Sequence, residues 1–185
     1  CLLTEKERDM STRYQILTAI ALLIFGLLAC NGETNRENGQ KAELEKQIWA
    51  LMDVWASRDF DQIDNIFAAE GVYEDAADQS IYRGRQEIKD FMRECVTWAP
   101  DTKIEPLTVF VSGNKGAVEW VWSGTQTGDI PDLMPATGKS FRIRGVTIFE
   151  FEDGKIKKNL DYYNAARFLH QLGVSFDIPG TEESE

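Results

Sequence analysis

In "GVYEDAADQSIYRGRQEIKDFM" (Gly71–Met92) a short apolar run ends in two acids, Glu74 and Asp75, and a helix-like segment follows the Gly84–Arg85 step. Asp75 admits two readings: a carboxylate that moves a proton, or an acid that merely opens the "DAADQ" loop with an Asx-type turn. Tyr73 stands two residues earlier, on the same face of any strand drawn through it. A second acid-bearing run, "NLDYYN", alternates Asn159, Asp161 and Tyr163 with Leu160 and Tyr162. Strand parity assigns each set to one face but leaves open which set is inside. A carboxylate held in an apolar cavity has its pKa raised by desolvation, which turns it into a base of useful strength near neutral pH. Metal chemistry has little to draw on. The chain has one histidine, and its three cysteines (Cys1, Cys30, Cys95) show no paired spacing, so no zinc-type set assembles and neither metal nor cofactor is expected.

The elements that would position these acids follow from periodicity. In "AELEKQIWALMDVWASRD", Ile48, Leu51, Met52 and Trp55 recur at three- and four-residue steps, which predicts an amphipathic helix from about Ala42 to Ser57. A short second helix carries Ile63, Ile66 and Phe67 as its apolar face, Val72–Glu74 forms a short strand, and a third helix runs from Arg85 to about Cys95 with Ile88, Phe91, Met92 and Cys95 on one side. Cys95 is then a core thiol. Beyond Pro100 the period becomes alternating, predicting strands at Ile104–Ser112, Lys115–Thr127, Lys139–Glu152 and Lys155–Tyr163, with "SGNKG" and "EDGK" as hairpin turns. On the third of these, Phe141, Ile143, Gly145, Thr147, Phe149 and Phe151 share the face toward the helices, and on the second Val118, Trp120 and Trp122 point one way. Asn164–Leu172 makes a last helix capped by Gly173. The segment Gly124–Gly138, with Ile130, Leu133 and Met134, is long for a hairpin and reads as a lid or half of a dimer contact. Helices segregated to one face of a curved antiparallel sheet give an α+β domain. His170 reads as an exposed helix residue, and Arg83 and Arg85 as surface charges beside a turn.

Bulk properties narrow the partners. The 185 residues are 43% hydrophobic and 11% aromatic, enough for one globular core. With 20 Lys and Arg against 31 Asp and Glu the net charge is -11, which works against a phosphate backbone, so nucleic acid is not expected as a partner. Ile16–Cys30, "ILTAIALLIFGLLAC", is uncharged but shorter than the about 20 residues that span a bilayer, and has the length of a signal-peptide core. Residues 30–41 read as a flexible polar tether, 42–173 as the domain and 174–185 as an acidic tail; residues 1–9, upstream of Met10, read as an upstream artefact.

Three resemblances enter on particular residues. "LLAC" at Leu27–Cys30 resembles the lipobox of bacterial lipoproteins, which implies that residues 10–29 are a signal peptide, that Cys30 carries lipid, and that the mature protein is extracytoplasmic and membrane-anchored. "TGKSFRIRGVTIFEFEDGKIKKNLDYYNAARF" (Thr137–Phe168) resembles the last strands and helix of the nuclear transport factor 2-like superfamily, especially SnoaL-like cyclases and limonene epoxide hydrolase. "DFDQIDNIFAAEGVYEDAA" resembles the second helix and first strand of ketosteroid isomerases in the same superfamily. The implied fold is a cone-shaped curved antiparallel sheet wrapped by three N-terminal helices, and homodimers are common among such domains.

Residue by residue, the resemblance puts Asp75 where the isomerases keep a proton-shuttling carboxylate, Tyr73 at a water-holding position of the hydrolase, and Asp161 at that of its base. It places Asn159, Asp161 and Tyr163 inside the cone, with Trp120 and Trp122 where the hydrolase has an arginine and an acid. Leu51 and Thr147 stand near the isomerase oxyanion-hole positions, so neither familiar active site is complete. The expected activity is cofactor-free acid/base chemistry on a small, largely apolar carbonyl- or lactone-type molecule. Asp161 is the expected base, Asp75 and Tyr73 orient water or substrate, and Trp120, Trp122, Phe141, Thr147, Phe149, Asn159 and Tyr163 line the pocket. The rival expectation is a non-catalytic module holding an apolar ligand or a partner protein at the membrane surface.

Overall fold

A computed structural model describes residues 36–176. Contacts divide the chain into Cys1–Lys41 and Ala42–Glu185. Of the first unit only residues 36–41 are described, and they are helical. The upstream residues 1–9, the signal peptide, Cys30 and the tail beyond residue 176 lie outside the described residues.

Helix α1 covers residues 36–57, so residues 36–41 are helical and not the flexible tether expected. Apolar periodicity could not find this turn, because residues 36–41 carry no apolar side chain and so present no stripe. From Leu44 onward the helix buries Leu44, Ile48, Leu51, Met52, Val54 and Trp55. A 3-10 turn at Phe60–Gln62 leads into α2 (Ile63–Ile66). Phe67, expected on the helix, is extended (φ -91, ψ 149) and opens strand β1 (Phe67–Asp75), where it pairs with Ile156. Its carbonyl accepts both Nε and Nη2 of Arg85 at 3.0 and 2.7 Å. Arg85 is therefore a half-buried brace and not the surface charge expected.

Strand β2 (Ser80–Arg83) returns antiparallel to β1 and was not expected, since four residues with a half-exposed pattern carry too little period to read. Helix α3 (Gly84–Trp98) starts at Gly84, whose φ of +75 suits glycine. The helix buries Ile88, Met92, Cys95 and Trp98, and Lys89 Nζ reaches Asp64 at 2.8 Å. Strands β3 (Lys103–Ser112), β4 (Lys115–Thr125), β5 (Ser140–Glu152) and β6 (Lys155–Tyr163) form the meander within two residues of the predicted bounds. Asp153 and Gly154, both at positive φ, make the β5–β6 turn. Helix α4 (Ala165–Gln171) follows, capped by Asn164 Oδ1 accepting from the Arg167 N–H at 2.8 Å.

The six strands form one curved, unclosed sheet in the order β2-β1-β6-β5-β4-β3. The expected antiparallel sheet is in fact mixed, because β6 lies parallel to β1 while every other pairing is antiparallel. A meander entered through a helix returns its last strand beside the first in the same direction, and that places Asp75 opposite Asp161. The β5 alternation appears as read: Phe141, Ile143, Thr147, Phe149 and Phe151 are buried toward the helices.

The Gly124–Gly138 segment is held at its base. Gln126 is fully buried; its Nε2 donates to Gly128 O and Pro135 O, and its Oε1 accepts from the Thr137 N–H and hydroxyl. Thr127 and Gly128 N–H both donate to Trp98 O at 3.0 Å. Gln126→Leu would strand these partners, so we expect cleavage within residues 127–137 in limited proteolysis to rise about tenfold, equivalent to roughly 1.4 kcal/mol of local stability.

Candidate functional site

The parallel pairing of β1 and β6 sets Tyr73 opposite Asn159 and Asp75 opposite Asp161. Strand β1 presents tyrosine then aspartate two residues apart, and β6 presents aspartate then tyrosine. The partners are therefore diagonal: the Tyr73 hydroxyl donates to Asp161 Oδ2, and the Tyr163 hydroxyl donates to Asp75 Oδ2 at 3.0 Å. Asp161 Oδ1 also accepts from the Thr147 hydroxyl at 2.6 Å and from Asn159 Nδ2 at 2.9 Å. Behind it Trp120 Nε1 donates to Thr147 Oγ1 at 2.8 Å, so a directed chain of donors ends on this carboxylate. Asp75 Oδ1 accepts the Ala77 N–H at 2.9 Å. Asp75 thus opens its loop through one oxygen and faces Tyr163 with the other.

Electrostatics separates the two acids. Burial is the largest influence on Asp75, reinforced by the charge of Asp78, and pushes its carboxyl up to about 6. Burial also raises Asp161, although the bonds from Thr147, Tyr73 and Asn159 hold it back. Burial and the nearby carboxylates raise both Tyr73 and Tyr163, so each phenol keeps its proton and can donate.

Two cavities meet here. The inner one, about 40 Å³, has Tyr73, Asp75, Trp120, Trp122, Asp161 and Tyr163 on its sheet side and Trp55, Phe91 and Cys95 on its helix side. That is room for a water or two, or for one small group. The outer one, about 590 Å³, also touches Asp75, Phe91, Cys95, Trp122 and Tyr163, and extends over Tyr82, Trp98 and Phe168 to Ile130–Leu133. Asp161 borders only the inner chamber; Asp75 and Tyr163 border both.

The SnoaL-like domain family matches residues 48–159, more than half of the chain. This chain belongs to the SnoaL-like family. Among solved structures, it is similar to a candidate SnoaL-like polyketide cyclase from Jannaschia sp. CCS1, at 16% identity over 73% of this chain and 94% of that one, with a TM-score of 0.66. TsrD from Streptomyces laurentii matches at 23% identity over 71% and 96%, with a TM-score of 0.64. IdmH from Streptomyces antibioticus, a candidate polyketide cyclase, matches at 19% over 71% and 99%, with a TM-score of 0.61. No curated protein matches the sequence. These likenesses agree in the fold, that of a SnoaL-like domain.

Within this SnoaL-like domain Tyr73, Asp75, Trp120, Trp122, Asp161 and Tyr163 come together at the inner chamber, and Thr147 and Asn159 stand behind Asp161 as donors. Phe141, Thr147, Phe149 and Asn159 line neither chamber, contrary to the expected walls. Phe141 is packed edge-on against Trp122 and Phe168, and Phe149 stacks on Phe151 in the core, because strand parity fixes a face but not the depth along it. Trp55, Phe91, Cys95, Tyr82 and Trp98 were missed as wall residues. All of these but Tyr82 sit on amphipathic helices, where a wall residue and a core residue give the same signal, and Tyr82 sits on the strand β2 that was not expected. Among the described residues no cluster of acids, histidine and cysteine could hold a metal ion, and no helix is long and apolar enough to cross a membrane.

The raised pKa of Asp75 has a sign for stability. A carboxyl near 3.8 when unfolded and about 6 when folded contributes stability that is fully present below the lower value and lost as pH rises through the upper one. Asp75→Asn retains an acceptor for Ala77 without the buried charge. We expect the variant to be more stable than the parent by about 1–2 kcal/mol at pH 8 and equal to it at pH 4, read from urea midpoints.

Proposed function

We propose that this SnoaL-like domain carries out cofactor-free acid/base chemistry, of cyclase or isomerase type, on a small, largely apolar ketone, ester or lactone. The observation that carries this reading is the position of Asp75, a carboxylate raised to about 6 at the boundary between a small chamber and an aromatic cavity that fits a substrate.

We assign the base to Asp75 and not to Asp161, because Asp75 reaches the larger cavity whereas Asp161 already accepts three side-chain donors. Ionised Asp75 takes a proton from the carbon beside the carbonyl, and the C–H electron pair moves into the carbonyl to give an enolate. The neutral acid is a weaker acceptor, which frees the Tyr163 hydroxyl to donate to the enolate oxygen. Where a carbon–carbon double bond is conjugated with the enolate, return of the proton from Asp75 to its far carbon shifts that double bond; where the molecule has a second carbonyl, attack of the enolate carbon on it closes a ring, and Asp75 returns its proton to the alkoxide so formed. Asp161 is a positioning group. It adds a smaller upward push to the Asp75 carboxyl after burial and Asp78, and Tyr73, Thr147 and Asn159 hold it in place.

The test is proton exchange. Incubation of the domain in D2O with a panel of ketones and lactones should place deuterium beside the carbonyl, with a rate that rises with pH and levels off above about 6. No exchange and no turnover across the panel would leave the binding-module reading, which the complete hydrogen bonding of both acids also accommodates. We further propose that the domain works outside the cytoplasm on a lipid attached to Cys30, on the strength of "LLAC" after an uncharged run. Cys30→Ser would then move the protein from the membrane to the soluble fraction.

A further inference from the structure

The proposed reaction leaves the charge of the substrate undecided, and the walls of the outer cavity bear on it. Those walls carry six aromatic rings, those of Tyr82, Phe91, Trp98, Trp122, Tyr163 and Phe168. Tyr82 and Phe91 stack at 4.3 Å, as do Trp122 and Phe168 at 5.2 Å, so four of the rings are held in two stacked pairs. Four carboxylates join them: Asp75 at the floor, and the exposed Asp78, Glu94 and Asp132. No lysine, arginine or histidine lies on this wall among the described residues.

The overall negative charge does not by itself empty a wall of cations, since Arg142 and Arg144 line another groove, each beside an acid, Glu105 at 3.4 Å and Glu119 at 3.2 Å. That groove, of about 640 Å³ over Leu107, Val121 and Ile143, also carries Arg167. A cavity walled by aromatic rings and carboxylates repels an anion and attracts a cation that can shed part of its water against the rings.

We propose that the substrate of this site is an organic cation, an aromatic or polycyclic carbonyl compound bearing a protonated or quaternary amine, and that the cavity excludes carboxylates and sulfonates of the same shape. The cavity itself is the site; the acids set only the charge it accepts. The amine lies among the rings and the rim acids Asp78, Glu94 and Asp132, and the carbonyl points to Asp75 and Tyr163. This rests on the acid/base reading of the same cavity for the placement of the carbonyl, but not for the preference for positive charge.

Three probes on one naphthylmethyl frame test it by calorimetry at pH 7.5 and low salt: naphthylmethyl(trimethyl)ammonium, naphthylmethanol and naphthylmethanesulfonate. The ammonium probe should bind at least about tenfold more tightly than the sulfonate, with the alcohol between them. Added salt should narrow that gap without closing it, since screening removes the rim contribution and leaves the rings. The triple variant D78N/E94Q/D132N should narrow the gap several-fold and leave naphthylmethanol unchanged. Equal binding of ammonium and sulfonate, no binding of the ammonium probe at millimolar concentration, or a gap untouched by the triple variant would each overturn the proposal. Deuterium exchange on neutral ketones with no cation preference would sink this inference alone; cation preference with no exchange on any carbonyl compound would sink the catalytic reading and leave this one standing.

Discussion

Asp75→Asn is expected to lower kcat by about 10²–10⁴, the usual contribution of a positioned general base, while ligand affinity stays within a few-fold. Asparagine still accepts the Ala77 N–H and keeps a polar contact with Tyr163, so the loop and the cavity wall survive and only the proton acceptor is lost. The assay is deuterium exchange or turnover beside binding followed by tryptophan fluorescence, with Trp122 reporting from the wall. Asp161→Asn separates the two acids. Removing a negative charge that raises Asp75 should shift the pH limb below about 6 and retain measurable activity. The opposite pattern, with Asp161→Asn dead and Asp75→Asn active, would return the base to the position that sequence resemblance first gave it.

Periodicity made the large elements legible. α1, α3 and the β3–β6 meander each bury a long face against the helices or the sheet, and a buried face leaves a period of about 3.6 or 2 in the sequence. The elements it did not reveal bury little. Strand β2 has four residues, and residues 36–41 are polar all round. The parallel pairing of β1 with β6 was not legible either, since it depends on how the chain returns across the sheet and not on any local pattern. The candidate site divides in the same way. Parity collected Asn159, Asp161 and Tyr163 on one face, but only the pairing of Asp75 with Asp161 shows that each acid takes its tyrosine from the opposite strand. The difference between the two acids was hidden as well, because a donor set such as Thr147, Asn159 and Tyr73 is assembled from three points of the chain.

Gly145→Ala should be among the most destabilising small substitutions in the domain, for a reason that links the sheet to the site. Gly145 sits on β5 directly opposite Trp120 on β4, and the indole lies across the space above it. A Cβ there would stand 2.1 Å from Trp120 Cη2 and 2.4 Å from Cζ2, distances that a rigid ring cannot relieve by a small rotation. The ring is also tied down: Nε1 donates to Thr147 Oγ1, and Thr147 donates to Asp161. Either the strand shifts or the indole leaves its rotamer, so the cost should fall at the upper end of overpacking, about 3 kcal/mol, with Tm lower by about 6–12 °C. If the indole moves, the donor chain loses its first link and Asp161 loses part of what offsets the upward push of burial on its carboxyl. We therefore expect Gly145→Ala to perturb the pH limb assigned to Asp75 as well as the melting temperature, whereas a purely structural glycine would change the second and leave the first alone. A compensating Trp120→Phe, which shortens the ring at the point of contact, should recover much of the stability but not the original pH profile, because phenylalanine has no N–H to give Thr147.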